Sequence, residues 1–99
     1  MEKDFFVYML ANKPGGVLYV GVTSNLSKRI WEHREKIFGG FSRRYNVTQL
    51  VWYEPQGSAE HAISREKQLK KWKRDWKVAL IEKDNPSWRD LYEELGPST

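Results

Sequence analysis

The 99-residue chain contains no cysteine, which excludes disulfides and thiolate zinc sites and fits a reducing compartment. Long hydrophobic runs are missing as well. FFVYMLA at 5–11 is an apolar stretch of only seven residues, far short of the roughly 20 that span a bilayer. No small-residue cleavage site follows it, so neither a membrane span nor a secretory leader is expected. Repeats, low-complexity linkers and shifts of composition that would mark a domain boundary are also lacking. A chain of this length holds one core and buries roughly two thirds of its unfolded surface. The expectation is one cytoplasmic domain over 1–99, with its core at about 4–82 and a helical C-terminal tail at about 83–96.

What is present is positive charge, unevenly placed. Lys and Arg outnumber Asp and Glu by 17 to 13, for a net +4. The excess gathers in SREKQLKKWKRDWK at 64–77, whereas DNPSWRDLYEEL at 84–95 is acidic. Such a run either attracts a polyanion, nucleic acid foremost, or is a solvated helix face. Lys28, Arg43, Arg44, Lys70, Lys71, Lys73 and Arg74 are the candidate phosphate contacts, with Trp72 placed to stack on bases.

Residues 5–11 and 17–23 are rich in β-branched and aromatic side chains and are separated by the turn signal NKPGG, which predicts an antiparallel hairpin. A four-residue loop over 12–15 would set Tyr8 directly opposite Tyr19 on one face. That pairing serves either to stabilise the hairpin or to bring two phenols to a site. After Thr23 the period changes. Leu26, Ile30 and Ile37 form a helical stripe, Ser24 or Asn25 is the N-cap, and FGG at 38–40 ends the helix. Arg29 and His33, four apart, share a face beside that stripe and point back towards Tyr19.

The segment around Arg43 and Arg44 reads as a basic loop, and 49–54 as a third strand with Leu50, Val51, Trp52 and Tyr53 buried on at least one side. Ser58 caps the next helix, with Glu60 in its first turn. Its apolar stripe is Ala59, Ala62, Ile63 and Leu69, and Glu66 falls inside it. A carboxylate there must reach the rim, pair with a cation such as Lys70 at i+4, or bind a metal, because burying it alone costs several kcal/mol. A further helix runs to about residue 82 and breaks at Asn85-Pro86. A short terminal helix follows, capped by Ser87 with Asp90 three residues on. Trp76, Leu80, Trp88 and Leu91 are expected to complete the core. Asn85 is a turn residue that can also pin a site through its side chain.

Taken together, these positions resemble the GIY-YIG endonucleases, especially their small stand-alone bacterial members. FVY at 6–8 stands for the family's GIY and YVG at 19–21 for its YIG, with Gly21 the structural glycine. Arg29 in NLSKRIWEH, Glu66 in SREKQLKKW and Asn85 in NPSW match the family's arginine, glutamate and asparagine. The resemblance implies an α+β fold of order β-β-α-β-α-α plus a short C-terminal helix, a three-stranded antiparallel sheet flanked by helices. It also implies hydrolysis of a nucleic acid phosphodiester, DNA before RNA, with one Mg²⁺ or Mn²⁺ on Glu66.

In that scheme Arg29 clamps the phosphate, Tyr19 takes a proton from the attacking water, Tyr8 orients, His33 assists and Asn85 completes the set. Val22 stands where repair-type members carry a lysine, which sets this chain apart from them. No second DNA-binding domain is expected, so specificity would come from a partner protein, from nucleic acid structure or from a nonspecific groove. The competing reading is a noncatalytic nucleic-acid-binding module that keeps the fold.

Overall fold

The structure, a computed structural model, describes residues 4–36 and 40–95. Strand β1 (Phe5–Ala11) lies in the middle of an antiparallel sheet of order β2-β1-β3, between β2 (Leu18–Thr23) and β3 (Gln49–Gln56). Helix α1 (Leu26–Arg34) follows β2, and a short helix α2 (Phe41–Tyr45) precedes β3. Helices α3 (Ala59–Lys71) and α4 (Arg74–Asp84) come next, and a single 3-10 turn, Tyr92–Leu95, ends the described chain. The element order is the expected one, with α2 added where a basic loop is predicted.

Alternation along β1 divides the core in two, because successive side chains leave a strand on opposite faces. Val7, Met9 and Ala11 face one way and bury Val20, Ala62, Leu69, Ile81 and Trp88 beneath α3 and α4. Tyr8 and Leu10 face the other way and pack with Leu26 and Ile30 of α1 and with Val47 and Leu50. β3 carries a bulge opposite Met9 and Leu10: Met9 pairs with Trp52 and Leu10 with Leu50. The extra residue, Val51, therefore shares a core layer with its neighbour Trp52, and four consecutive apolar residues are all accommodated.

The hairpin register differs from the expected one by two residues. Ala11 pairs with Leu18, so Tyr8 faces Gly21 and Leu10 faces Tyr19. The loop is longer than four residues because Asn12 turns its Oδ1 back to accept the Val17 N–H at 2.8 Å, and Gly15 adopts φ +71°, a conformation glycine reaches without strain. A shift of two keeps every side chain on its face, so the two tyrosines remain neighbours, diagonal rather than opposed.

Other expectations need correction. Helix α1 stops at Arg34, ahead of FGG, with Lys36 at φ +57° just beyond; Ile37, expected on its stripe, lies outside the described residues. Asn25 is the N-cap, accepting the Lys28 N–H at 3.2 Å, and Ser58 caps α3 as expected, accepting from His61. Ile63 and Trp76, expected in the core, are exposed. Ile63 misses it because the buried line of α3 runs through Ala62 and Leu69. Ser87 caps no helix. Asp90 instead accepts the N–H groups of Leu50 and Tyr92, at 3.1 and 3.0 Å.

Candidate active site

Tyr8 projects from the central strand across the position of Gly21 on the neighbouring strand, and a Cβ at Gly21 would overlap the phenol ring and hydroxyl. The YVG glycine is thus the floor on which Tyr8 lies. The hydroxyl is hydrogen-bonded to His33 Nε2 at 3.0 Å in a buried contact. His33 is on the inner face of α1 and only 3 % exposed. The Tyr19 ring covers both, its centroid 6.3 Å from that of Tyr8 and 5.2 Å from that of His33. Arg29, one helical turn before His33, is close enough to hydrogen-bond the Tyr8 hydroxyl and forms an ion pair with Glu32 at 3.4 Å.

The site has two layers. Tyr8 and His33 lie beneath, fully or almost fully buried, while Tyr19 and Arg29 are partly open to solvent. Burial, foremost, and then Tyr19 hold the Tyr8 phenol above its ordinary range, against the opposing pull of Arg29, so Tyr8 stays protonated. Burial first and Arg29 second bring the His33 imidazole down from 6.5 to about 4, so it is neutral at pH 7. The neutral ring and the Tyr8 hydroxyl share one hydrogen bond, whose direction is set by which ring nitrogen carries the proton.

Glu66 comes from α3, which packs against β1 and β2, and its charge is felt at Tyr8, where it raises the phenol. Its side chain is 17 % exposed, and the carboxylate pairs with the exposed Lys70 ammonium at 3.5 Å, one of the resolutions open to a carboxylate inside an apolar stripe. No group of three or more His, Cys, Asp or Glu side chains able to hold a metal occurs among the described residues. A single partly open carboxylate fits a hard cation that keeps most of its waters and shares a substrate phosphate, as Mg²⁺ does. It does not fit zinc, which takes three or four protein ligands.

Asn85 is elsewhere. It is buried and spends its amide on backbone: Nδ2 donates to Val51 O and Arg89 O, at 3.1 and 2.9 Å, and Oδ1 accepts the Arg89 N–H at 3.0 Å. These contacts lie along β3, on the far side of the central strand from Gly21. The expected cations also divide. Arg43 and Arg44 are exposed on α2 beside Tyr45, lining a shallow cleft of about 750 Å³, and Lys28, Lys71 and Lys73 are exposed. Lys70 neutralises Glu66, and Arg74 donates to the carbonyls of Gly15 and Gly16, both at 2.8 Å, bracing the hairpin turn. Trp72 is half-buried with the Arg65 guanidinium 5.3 Å above its ring, which leaves it little face for a base. Glu32, the partner of Arg29, is absent from the sequence reading, although its i+3 spacing was the signal.

Comparison with known proteins fits this arrangement. A profile of the GIY-YIG catalytic domain matches residues 4–79. The chain belongs to the GIY-YIG family. The match takes in Tyr8, Tyr19, Arg29, His33 and Glu66 and ends before Asn85. Two bacterial relatives are of the same size class. The UPF0213 protein of Clostridium perfringens is 37 % identical over 76 residues, 77 % of this chain and 81 % of the relative. That of Syntrophus aciditrophicus is 37 % identical over 87 residues, 87 % of this chain and 97 % of the relative. The solution NMR structure of the Bacillus halodurans UPF0213 protein superposes with a TM-score of 0.55 at 23 % identity, covering 96 % of this chain and 99 % of that one, so this GIY-YIG domain shares its fold. Membership brings a nuclease-type domain. No helix among the described residues is long and apolar enough to cross a membrane.

Proposed function

We propose that this GIY-YIG protein hydrolyses phosphodiester bonds in nucleic acid, DNA being the first substrate to test, at the surface formed by Tyr19, Arg29 and Glu66. The observation that carries the reading is the cluster around the buried Tyr8 hydroxyl, which is hydrogen-bonded to His33 at 3.0 Å, lies beside the Tyr19 ring and is within reach of Arg29; the Glu66 charge acts on it from α3, the weakest of these influences. Four separate elements, β1, β2, α1 and α3, supply two phenols, a guanidinium, an imidazole and an acid, and hairpin packing alone needs none of the charged groups.

Arg29 binds the nonbridging oxygens of the phosphate, exchanging a partly exposed pair with Glu32 for a stronger charge-assisted contact. Tyr19, the outer phenol, acts as its phenolate and takes the proton of the attacking water, ending as the neutral phenol. Tyr8 is held protonated by burial and cannot serve as that base; with His33 it fixes the positions of Tyr19 and Arg29. A divalent cation, Mg²⁺ or Mn²⁺, supplies polarisation of a phosphate oxygen when bound, and Glu66 is the residue that would hold it.

The pair between Glu66 and Lys70 favours a second reading, a noncatalytic binding module in which Glu66 is only a surface ion pair. One experiment separates the two. Glu66→Gln keeps shape and loses charge, so the thermal melt should stay within a few degrees of wild type. Cleavage of a DNA and RNA panel with Mg²⁺ or Mn²⁺ should vanish, together with the metal heat in titration calorimetry. Equal metal heats for wild type and variant would leave the binding module.

A further inference from the structure

Trp76 has no place in the site above, and at 58 % it is the most exposed of the large hydrophobic side chains among the described residues. It sits in the first turn of α4, and its indole stands edge-on to Trp72, with centroids 5.9 Å apart and planes at 82°. Trp72 is in turn wedged between the core and Arg65. Trp72 therefore buttresses Trp76, more than half of whose side chain stays open to solvent. Around it, residues 70–77 carry five cations, Lys70, Lys71, Lys73, Arg74 and Lys77, against one acid, Asp75. Lys71 and Lys73 are exposed and form no ion pair among the described residues, whereas Lys70 and Arg74 are engaged with Glu66 and with the hairpin turn.

An acidic peptide would use the charge and leave the indole idle, and a second copy of this chain, itself at +4, would meet like charge. Single-stranded nucleic acid uses both features, with phosphates on the lysines and a base on the ring. A duplex keeps its base faces stacked inside and cannot offer one. We propose that Trp76, buttressed by Trp72 and flanked by Lys71 and Lys73, stacks an unpaired base of a single-stranded segment of the substrate. Trp72 follows Glu66 by six residues, about 9 Å along a helix at 1.5 Å per residue, so the base lies a few nucleotides from the phosphate at Glu66. That last placement rests on the nuclease reading; the stacking does not.

The test is fluorescence anisotropy with the full chain in EDTA, which stops turnover. The probes are a labelled single strand as DNA and as RNA, the same DNA with abasic sites, and a duplex. Trp76→Ala should weaken single-strand binding about 10-fold, within the range of one lost base stack, and Trp76→Phe should restore most of it. Wild type should bind the abasic strand as weakly as Trp76→Ala binds the intact one, and duplex affinity should not move. Equal single-strand affinities for wild type and Trp76→Ala overturn the proposal. So does a loss of the same size on duplex, or a change confined to self-association in sedimentation, which would make the patch a protein contact. Duplex cleavage by wild type with no effect of Trp76→Ala on single strands sinks this inference and leaves the nuclease reading standing. The expected stacking pattern in a protein that never cleaves supports this inference and removes the nuclease reading.

Discussion

At the scale of single residues, the two tyrosines that the hairpin makes neighbours have opposite environments, and the difference sets what each can do. Tyr19→Phe removes a hydroxyl from the outer layer. Its fold should be unchanged while the single-turnover cleavage rate drops roughly 10² to 10⁴-fold, the usual share of a general base. Tyr8→Phe removes a buried hydroxyl bonded to His33; it should lower stability by about 1–2 kcal/mol in urea unfolding and slow cleavage only about tenfold. Reversed magnitudes would exchange the roles. Gly21 gives a sharper check on the register. Because a Cβ there meets the Tyr8 ring, Gly21→Ala should cost about 1–3 kcal/mol, and the double variant with Tyr8→Leu should recover part of it. Full stability of Gly21→Ala in the same unfolding assay would mean that Tyr8 does not lie over Gly21.

Among elements, β3 shows how an exposed edge is closed. It is an outer strand of the sheet, and an outer strand leaves backbone groups open to unwanted pairing. The segment after α4 covers them: Leu91 N–H donates to Leu50 O at 2.7 Å, Leu50 N–H to Asp90 Oδ1 at 3.1 Å, and Asn85 Nδ2 to Val51 O at 3.1 Å, the bulge residue. Arg34 of α1 ties the same segment down, bonded to Asp90 at 2.9 Å and lying 4.8 Å over the Tyr92 ring. Asn85→Ala therefore strands several buried backbone groups at once and should cost about 2–4 kcal/mol by urea unfolding. Amide exchange should quicken at Arg89, whose N–H bonds to Asn85, and in the turn at Trp88. Slow exchange at Arg89 in the variant would mean that the segment is held by Asp90 and Leu91 alone.

For the whole molecule, the buried imidazole makes stability depend on pH in a defined window. His33 drops from 6.5 to about 4 on folding, so between those values the unfolded chain binds more protons than the folded one. Unfolding free energy then rises with pH: this contribution is complete above 6.5 and is lost as pH falls towards 4. A full shift of that size is worth ~3 kcal/mol, and solvent at the rim of the site reduces it to roughly 1–2 kcal/mol. Urea unfolding at pH 4.5 and 7 should show wild type losing more stability on acidification than His33→Gln, the comparison cancelling the carboxylates common to both. Equal losses would mean that the imidazole is not held neutral by the fold.

The strands, the two capped helices and the residue types of the site were legible in the sequence, because alternation, caps and spacing are local properties of the chain. β1 matches its sequence-derived span, and Asn25 and Ser58 cap as their side chains predict. What the tertiary structure decided was everything that depends on a partner from elsewhere in the chain. Asn12 capping its own loop moved the register by two. Gly21 became necessary only when Tyr8 lay across it, and Asn85 went to the β3 edge because a bulge there left a carbonyl to be met. Trp76 has the i, i+4 spacing to Leu80 of a core residue, yet it stands in solvent against Trp72. Periodicity tells which side chains share a face, but whether another element covers that face is settled only when the elements pack.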